Sequence, residues 1–325
     1  MQNKEVIVVG AGIAGLLCAE RLQKAGIEVM VLEKGPTVGG RMATLETGGA
    51  RWDSAVQFFT SRDLRFQMYV DEWLHAGICK TWFVADGNEL GAQGYVRYCG
   101  KTGMTAAPET LAQGLDVRLG VSVEKTTYNG SHWQLWVEGE AAYSCRTLFL
   151  TAPLPQSLAL LESGNTQFDL SIHDELKGIR YSPSIAMLAR LDGGSELSQH
   201  GALRIGKDPI KWIADNQIKG VSPGTPTLTI HATAPFSQTH WDSPDKIVAP
   251  LLIQAVEPYL KSNIIDWQLI RWEHAFPYHS WHDLFAGDTE RNLFLAGDAF
   301  GGPRVEGAAL SGIQAADEYL DLHSS

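Results

Sequence analysis

The sequence predicts an α/β protein in which a dinucleotide-binding domain is interleaved with a second, α+β domain. Three observations carry that expectation. The first 41 residues read as strand, glycine turn, helix, strand and acid in register. Residues 117–153 alternate apolar and polar positions around a strong turn signal at Asn129-Gly130. Asn292-Leu293-Phe294-Leu295-Ala296-Gly297-Asp298 then returns as a short apolar strand ending in Gly-Asp. No second G-x-G-x-x-G follows the first, which argues against a separate NADPH-binding domain.

In the opening unit, the β-branched run Val6 to Val9 suits a strand buried on both faces. It enters Gly10-Ala11-Gly12-Ile13-Ala14-Gly15. Gly10 permits the tight turn, Gly12 lets a pyrophosphate approach the backbone, and Gly15 lets helix and strand pack closely. Leu16, Leu17, Ala19 and Leu22 give the following helix one apolar face, and Gly26 ends it. The helix N-terminus offers unpaired N–H groups and a positive dipole end to phosphates. A second strand, 28–32, delivers Glu33 eighteen residues beyond Gly15, where a ribose hydroxyl needs an acceptor.

Composition sets bounds. The chain has 325 residues, 44% apolar and 19% charged, enough for one large or two intimate domains. A formal charge of −11 argues against non-specific nucleic-acid binding. Cys18, Cys79, Cys99 and Cys145 are scattered without a C-x-x-C, so neither a cysteine-rich zinc site nor a dithiol redox centre is expected. No stretch approaches the roughly 20 apolar residues of a membrane span, and no cleavable signal pattern is present. A cytoplasmic protein with no membrane partner is expected.

After Glu33, Lys34-Gly35-Pro36-Thr37-Val38-Gly39-Gly40-Arg41 is a breaker-rich loop whose glycines allow close approach and whose arginine offers a fork of donors. The fingerprint, Glu33 and G-G-R six to eight residues later resemble the FAD-binding amine oxidase and desaturase superfamily. The resemblance implies FAD, with contacts at Gly10, Gly12, Ile13, Ala14, Gly15, Glu33, Lys34, Gly40 and Arg41. The implied architecture is a Rossmann-type FAD-binding domain with an interleaved α+β substrate domain.

The run from Asp53 to Asp63 is similar to the D-x-G-A-Q-Y-F-T-x-R-D segment of renalase-like flavoproteins, which passes alongside the flavin ring. It implies a backbone cofactor contact near Gln57 and a substrate-facing aromatic at Phe58 or Phe59, assigned to Phe59 with Phe58 at the cofactor, while core packing is expected for one of the two rings. Ala55 and Val56 stand where that segment has Gly-Ala.

Residues 62–76 read as an amphipathic helix, 82–99 as short glycine-punctuated strands, and Gly103-Met104-Thr105 as the opening of another helix. Val121-Ser122-Val123-Glu124 alternates as a strand, and the superfamily resemblance implies a backbone contact from Val123 to the adenine end of FAD. Pro209 to Asn216 resembles the D-W-L-A-x-N run of renalase-like proteins, Leu228 to Thr233 their V-L-H-A-T strand, and Arg271 to Pro277 an R-W-x-x-A-x-P strand end. Residues 243–260 read as a helix with Pro244 in its first turn and Pro258 limiting its end. Toward the end of the sequence, Val305-Glu306-Gly307-Ala308 resembles the family's x-E-G-A-x-x-S-G motif and opens a helix through Tyr319. The resemblance adds Gly297, Asp298, Val305, Glu306 and Ala308 to the cofactor contacts.

Expected boundaries are 1–60, 100–155 and 285–325 for the FAD-binding domain, and 61–99 with 156–284 for the substrate domain. No Ser-His-Asp order or H-E-x-x-H stands out, and flavin chemistry requires neither. The resemblance implies an oxidase that takes a hydride from isomeric dihydro-NAD(P) and passes electrons to dioxygen, giving peroxide. Phe59, Trp212 and Trp272 are the expected stacking residues, with Asn216 and His231 orienting a carboxamide. The passage from Gly297 to Gly307 holds no cysteine, so the flavin is expected to be non-covalent. An amine oxidase is the alternative, followed by a desaturase or a non-catalytic flavin-binding regulator.

Overall fold

The computed structural model describes residues 1–84, 94–168 and 170–323. Its largest sheet has eight strands. Leu293–Leu295, Glu140–Leu150, Gln2–Val9, Val29–Glu33 and Asp116–Leu119 lie side by side in parallel, and Ala286–Asp288 pairs antiparallel with Leu293–Leu295. Lys125–Tyr128 and Trp133–Val137 extend from the start of Glu140–Leu150 as an antiparallel meander. Asn129 makes the meander's turn, its Oδ1 accepting from the Ser131 and His132 amides.

The period-2 rule assigns the two cores. Val6, Val8, Val29 and Val31 face the helices Ile13–Lys24 and Val305–His323, whereas Ile7, Val9, Met30 and Leu32 face Leu154–Ser163. Helices Ile13–Lys24 and Val305–His323 touch backbone to backbone, since a Cβ on Gly312 would fall 2.0 Å from the Ala14 carbonyl oxygen. Both follow parallel strands of one sheet, so both N-termini open at its carboxyl edge, where sheets of this kind bind ligands.

A second, antiparallel sheet runs in the order Ala202–Lys207, Ile210–Asp215, Thr227–Ala232, Tyr181–Leu191 and Ile264–Pro277. Ile185, Met187, Ile213, Leu228 and Ile230 seal one face against Val248 and Leu252 of helix Asp245–Val256. The opposite face receives the hairpin Thr44–Thr47/Ala50–Asp53, with Trp52 against Leu188. Gly48 and Gly49, at φ 58° and 74°, supply the positive dihedrals its two-residue turn demands.

Two expectations change, and one helix finds its place. Val121-Ser122-Val123-Glu124 is an extended connection; the strand pairing beside Val29–Glu33 is Asp116–Leu119. Phe66, Val70 and Trp73 of helix Leu64–His75 share a hydrophobic cluster with Val6 and Leu16, so this helix packs on the first core. The strands expected over 82–99 are Cys79–Val84 and Val96–Gly100, and residues 85–93 of that span lie outside the described residues.

Candidate active site

The glycine turn is built as its spacing requires. A Cβ on Gly15 would lie 2.0 Å from the Gly10 carbonyl oxygen, so turn and helix meet with no room for a side chain. Gly12 differs: the place of its missing Cβ is open for 4 Å around, and the helix it begins has no side-chain cap. An open glycine beside uncapped helical N–H groups fits a pyrophosphate.

Glu33 is held at the same turn, accepting from the Ala11 amide on Oε2 (2.8 Å) and the Gly35 amide on Oε1 (2.7 Å). The Val121 amide donates to the Glu33 carbonyl (2.9 Å), which brings the 121–123 connection alongside that acid. The second glycine loop abuts the first through the Gly39 amide and Ala11 carbonyl (2.8 Å), with Gly40 next to Gly12. Lys34 is exposed and reaches Gln156 Oε1 at 3.3 Å.

Arg41 turns inward, its Nη1 meeting Asp298 Oδ2 at 2.6 Å and the His274 and Ala275 carbonyls at 3.1 and 3.0 Å. Burial opposes the Arg41 charge, but the attraction and hydrogen bond of Asp298 outweigh it and hold the guanidinium above its usual pKa. The Tyr181 hydroxyl donates to Asp298 Oδ1 (3.0 Å), and burial with the adjoining carboxylate pushes its pKa well up. The Gly297 amide donates to Ser311 Oγ. Val305 and Ala308 are buried in the first turn of the last helix. The Glu306 carboxylate serves the chain: Oε1 accepts from the Arg62 and Asp63 amides and anchors the entry to helix Leu64–His75.

Asp53, Ser54 and the residues after them are laid on the second sheet. Thr229 Oγ1 donates to the Asp53 carbonyl (3.0 Å), the Asp53 amide donates to Asn216 Oδ1 (3.4 Å), and His231 Nε2 meets the Ser54 carbonyl (3.1 Å). Asn216 is fully buried and its Nδ2 is given to Thr229 Oγ1. It therefore holds the chain, a task its expected carboxamide contact would compete with. Burial lowers the His231 pKa from 6.5 to about 4, so the ring is neutral and donates from Nε2 to the carbonyl. The Gln57 side chain is also buried and donates to the Asp53 carbonyl. Among the described residues the non-glycine positive φ angles belong to Glu138, Asn165 and Asn292, so Ala55 carries no such strain.

Of the two phenylalanines, one was expected to pack in the core, and it is Phe59, the ring assigned to the substrate. Phe59 is core, 3% exposed and packed on Phe66, Trp73 and Tyr98. Phe58 is the one beside Trp212, at 5.7 Å between centroids, and Trp82, at 6.3 Å. Into this cluster comes Arg97, its guanidinium 4.5 Å from the Phe58 ring, 4.8 Å from Phe83 and 5.4 Å from Trp212. Register pairs Trp212 with His231 and His231 with Ala186, and Ser184 with Trp272, so all five share the sheet face that meets Asp53 and Ser54. The indole Nε1 atoms of Trp212 and Trp272 are buried without a hydrogen-bond partner among the described residues.

Arg97, Lys219, Tyr181 and Trp82 were not among the expected site residues. Arg97 had a signal, since it shares the buried parity of Cys99 in strand Val96–Gly100. Lys219, in the short helix Asn216–Lys219, had none.

Residues 63–320 match the family described as flavin containing amine oxidoreductase, and residues 8–73 match a NAD(P)-binding Rossmann-like domain. The chain belongs to the flavin-containing amine oxidoreductase family. The family's cofactor is FAD, and the chain has the family's two-domain fold. It is similar to a 1-hydroxycarotenoid 3,4-desaturase from a Flavobacterium species, 46% identical over 57 residues, 18% of this chain and 12% of that enzyme. Phytoene dehydrogenase of Streptomyces griseus is 48% identical over 59 residues, again 18% and 12%. The matched stretch is thus a small part of both relatives. Cyclohexylamine oxidase from Brevibacterium oxydans superposes with a TM-score of 0.73 at 12% identity, over 99% of this chain and 100% of that one. Reduced UDP-galactopyranose mutase gives 0.72 at 12%, over 99% and 96%. These two likenesses establish the fold. Among the described residues no helix is long and apolar enough to cross a membrane.

Proposed function

We propose that this flavoprotein oxidises a flat, non-cationic small molecule, an isomeric dihydro-NAD(P), and transfers the electrons to dioxygen to give peroxide. The observation that carries the reading is Arg97. The aromatic faces of Phe58 and Trp212, which would otherwise suit an ammonium, already hold a guanidinium. A protonated amine would have to displace that guanidinium from the rings before it could stack on them. The residue runs shared with renalase-like flavoproteins support the same branch.

FAD, bound non-covalently, supplies the hydride acceptor and the route for electrons to dioxygen. The chain's own residues bind and orient. The partnerless indole N–H groups of Trp212 and Trp272 donate to an acceptor on the substrate, such as a carboxamide oxygen. A dihydropyridine releases hydride without losing a proton first, so no general base is required, and neutral His231 serves placement. Arg41 and Asp298 fix the junction between the glycine turns and the second sheet.

The test is aerobic. The holoenzyme is given purified dihydro-NAD(P) isomers, NAD(P)H and a panel of amines, and peroxide is assayed against substrate consumed. One peroxide per isomer oxidised is expected, with amines inert. Peroxide from amines alone overturns the reading in favour of an amine oxidase, and FAD retained with no turnover favours a regulator.

A further inference from the structure

Lys219 and Asp53 form an ion pair with no solvent access: Nζ to Oδ2 is 2.6 Å and both side chains are 0% exposed. Nothing in the proposed chemistry uses this charge. Stability does not account for it either, because a sealed ion pair loses so much hydration that apolar replacements of the same shape are often neutral or better.

The surroundings say what it holds. Asp53 Oδ1 accepts from the Met104 amide (2.8 Å) and from Thr44 Oγ1 (2.7 Å), while its backbone is tied to Asn216 and Thr229. Lys219 Nζ also donates to Gln57 Oε1 (3.4 Å) and lies 4.7 Å from the Trp82 ring centroid. The Gln57 amide is thereby clamped at both ends, Oε1 by Lys219 and Nε2 by the Asp53 carbonyl. With its side chain locked in the interior, Gln57 leaves only backbone for whatever passes along the segment. The cationic end of the pair is the end that touches Gln57.

We propose that Lys219 is a positioning residue: with Asp53 as counter-charge it locks Gln57, fixes the backbone of residues 53–57, and would raise the reduction potential of a flavin bound alongside that backbone. A positive end directed at that segment favours the negative charge the cofactor takes up on reduction. The inference rests on the FAD assignment and is independent of which reduced substrate the enzyme takes.

Three variants of the holoenzyme test it: Lys219→Met, the double variant Asp53→Asn/Lys219→Met, and Gln57→Leu. Each is measured for reduction potential against redox dyes, visible flavin absorbance and thermal midpoint. Lys219→Met leaves a buried carboxylate without its partner, so loss of stability is expected. The double variant removes both charges and recovers the midpoint, but its potential stays below native and its absorbance bands stay displaced. FAD lost from a folded double variant supports the same assignment. Gln57→Leu keeps the pair and cuts the link, and a smaller downward shift is expected. Native potential and absorbance in the double variant would reduce the pair to packing. Should that variant not fold, native values in Gln57→Leu overturn the proposal.

Discussion

Arg41 Nη1 and Asp298 Oδ2 stand 2.6 Å apart across 257 positions of sequence. The contact joins the second glycine loop to the strand end near the last helix, at the carboxyl edge where both helix N-termini open. Arg41→Met leaves Asp298 with the Tyr181 hydroxyl and no cation. A loss of about 1.5–3 kcal/mol is expected for a hydrogen bond between charged groups, together with weaker FAD retention. Denaturant unfolding and flavin absorbance after gel filtration measure the two effects, and native values for both would contradict the assigned junction.

Gly12 and Gly15 should separate cofactor binding from folding. Gly15→Ala drives a Cβ to 2.0 Å from the Gly10 carbonyl oxygen, so the turn must shift. A cost of about 1–3 kcal/mol is expected, as for other overpacked sites. Gly12→Val meets no atom of the protein within 4 Å of its Cβ and keeps φ near −73°, so its fold is retained while FAD is lost. Thermal midpoints of the FAD-free proteins and their FAD titrations decide the matter.

Trp212→Phe and Trp272→Phe each remove one partnerless donor and keep an aromatic ring. Stability should stay within about 1 kcal/mol of native, because lost packing is offset by relief of an unsatisfied group. Flavin reduction by the substrate should slow about tenfold, the worth of one hydrogen bond near 1.4 kcal/mol. Rapid-mixing absorbance measures it. Native rates in both variants would remove the indoles from substrate binding.

His231 gives a pH dependence of defined sign. Its folded pKa of about 4 lies below the ordinary 6.5, so below pH 6.5 the unfolded chain takes up a proton that the folded chain refuses. Stability from this group is complete above pH 6.5 and is lost progressively toward pH 4. His231→Gln should therefore flatten the acid side of the stability profile between those values. Unfolding midpoints at several pH values, native against variant, supply the measurement; identical slopes would contradict a buried neutral ring.

Local chemistry was legible in the sequence, and sheet pairing was not. Gly10, Gly12, Gly15 and Glu33 lie within one β-α-β unit, where spacing alone fixes the geometry. The C-terminal helix was legible for the same reason, although the Glu306 carboxylate proved to serve the Arg62 and Asp63 amides. That one of Phe58 and Phe59 packs in the core was legible, but that it is Phe59 was not, because the turn before them decides which ring faces inward, and no periodicity reports a turn's exit angle. Asn216 became a holding residue through partners up to 163 positions distant. Lys219 had no signal because its partner, 166 positions away, comes from another strand hairpin.

The most direct measurement is a single anaerobic turnover. Holoenzyme is mixed without dioxygen with one dihydro-NAD(P) isomer at a time, and separately with amines, while the flavin absorbance is followed. Rapid bleaching by an isomer and none by amines is the expected result. Rapid bleaching by amines, with the isomers inert, would contradict the account.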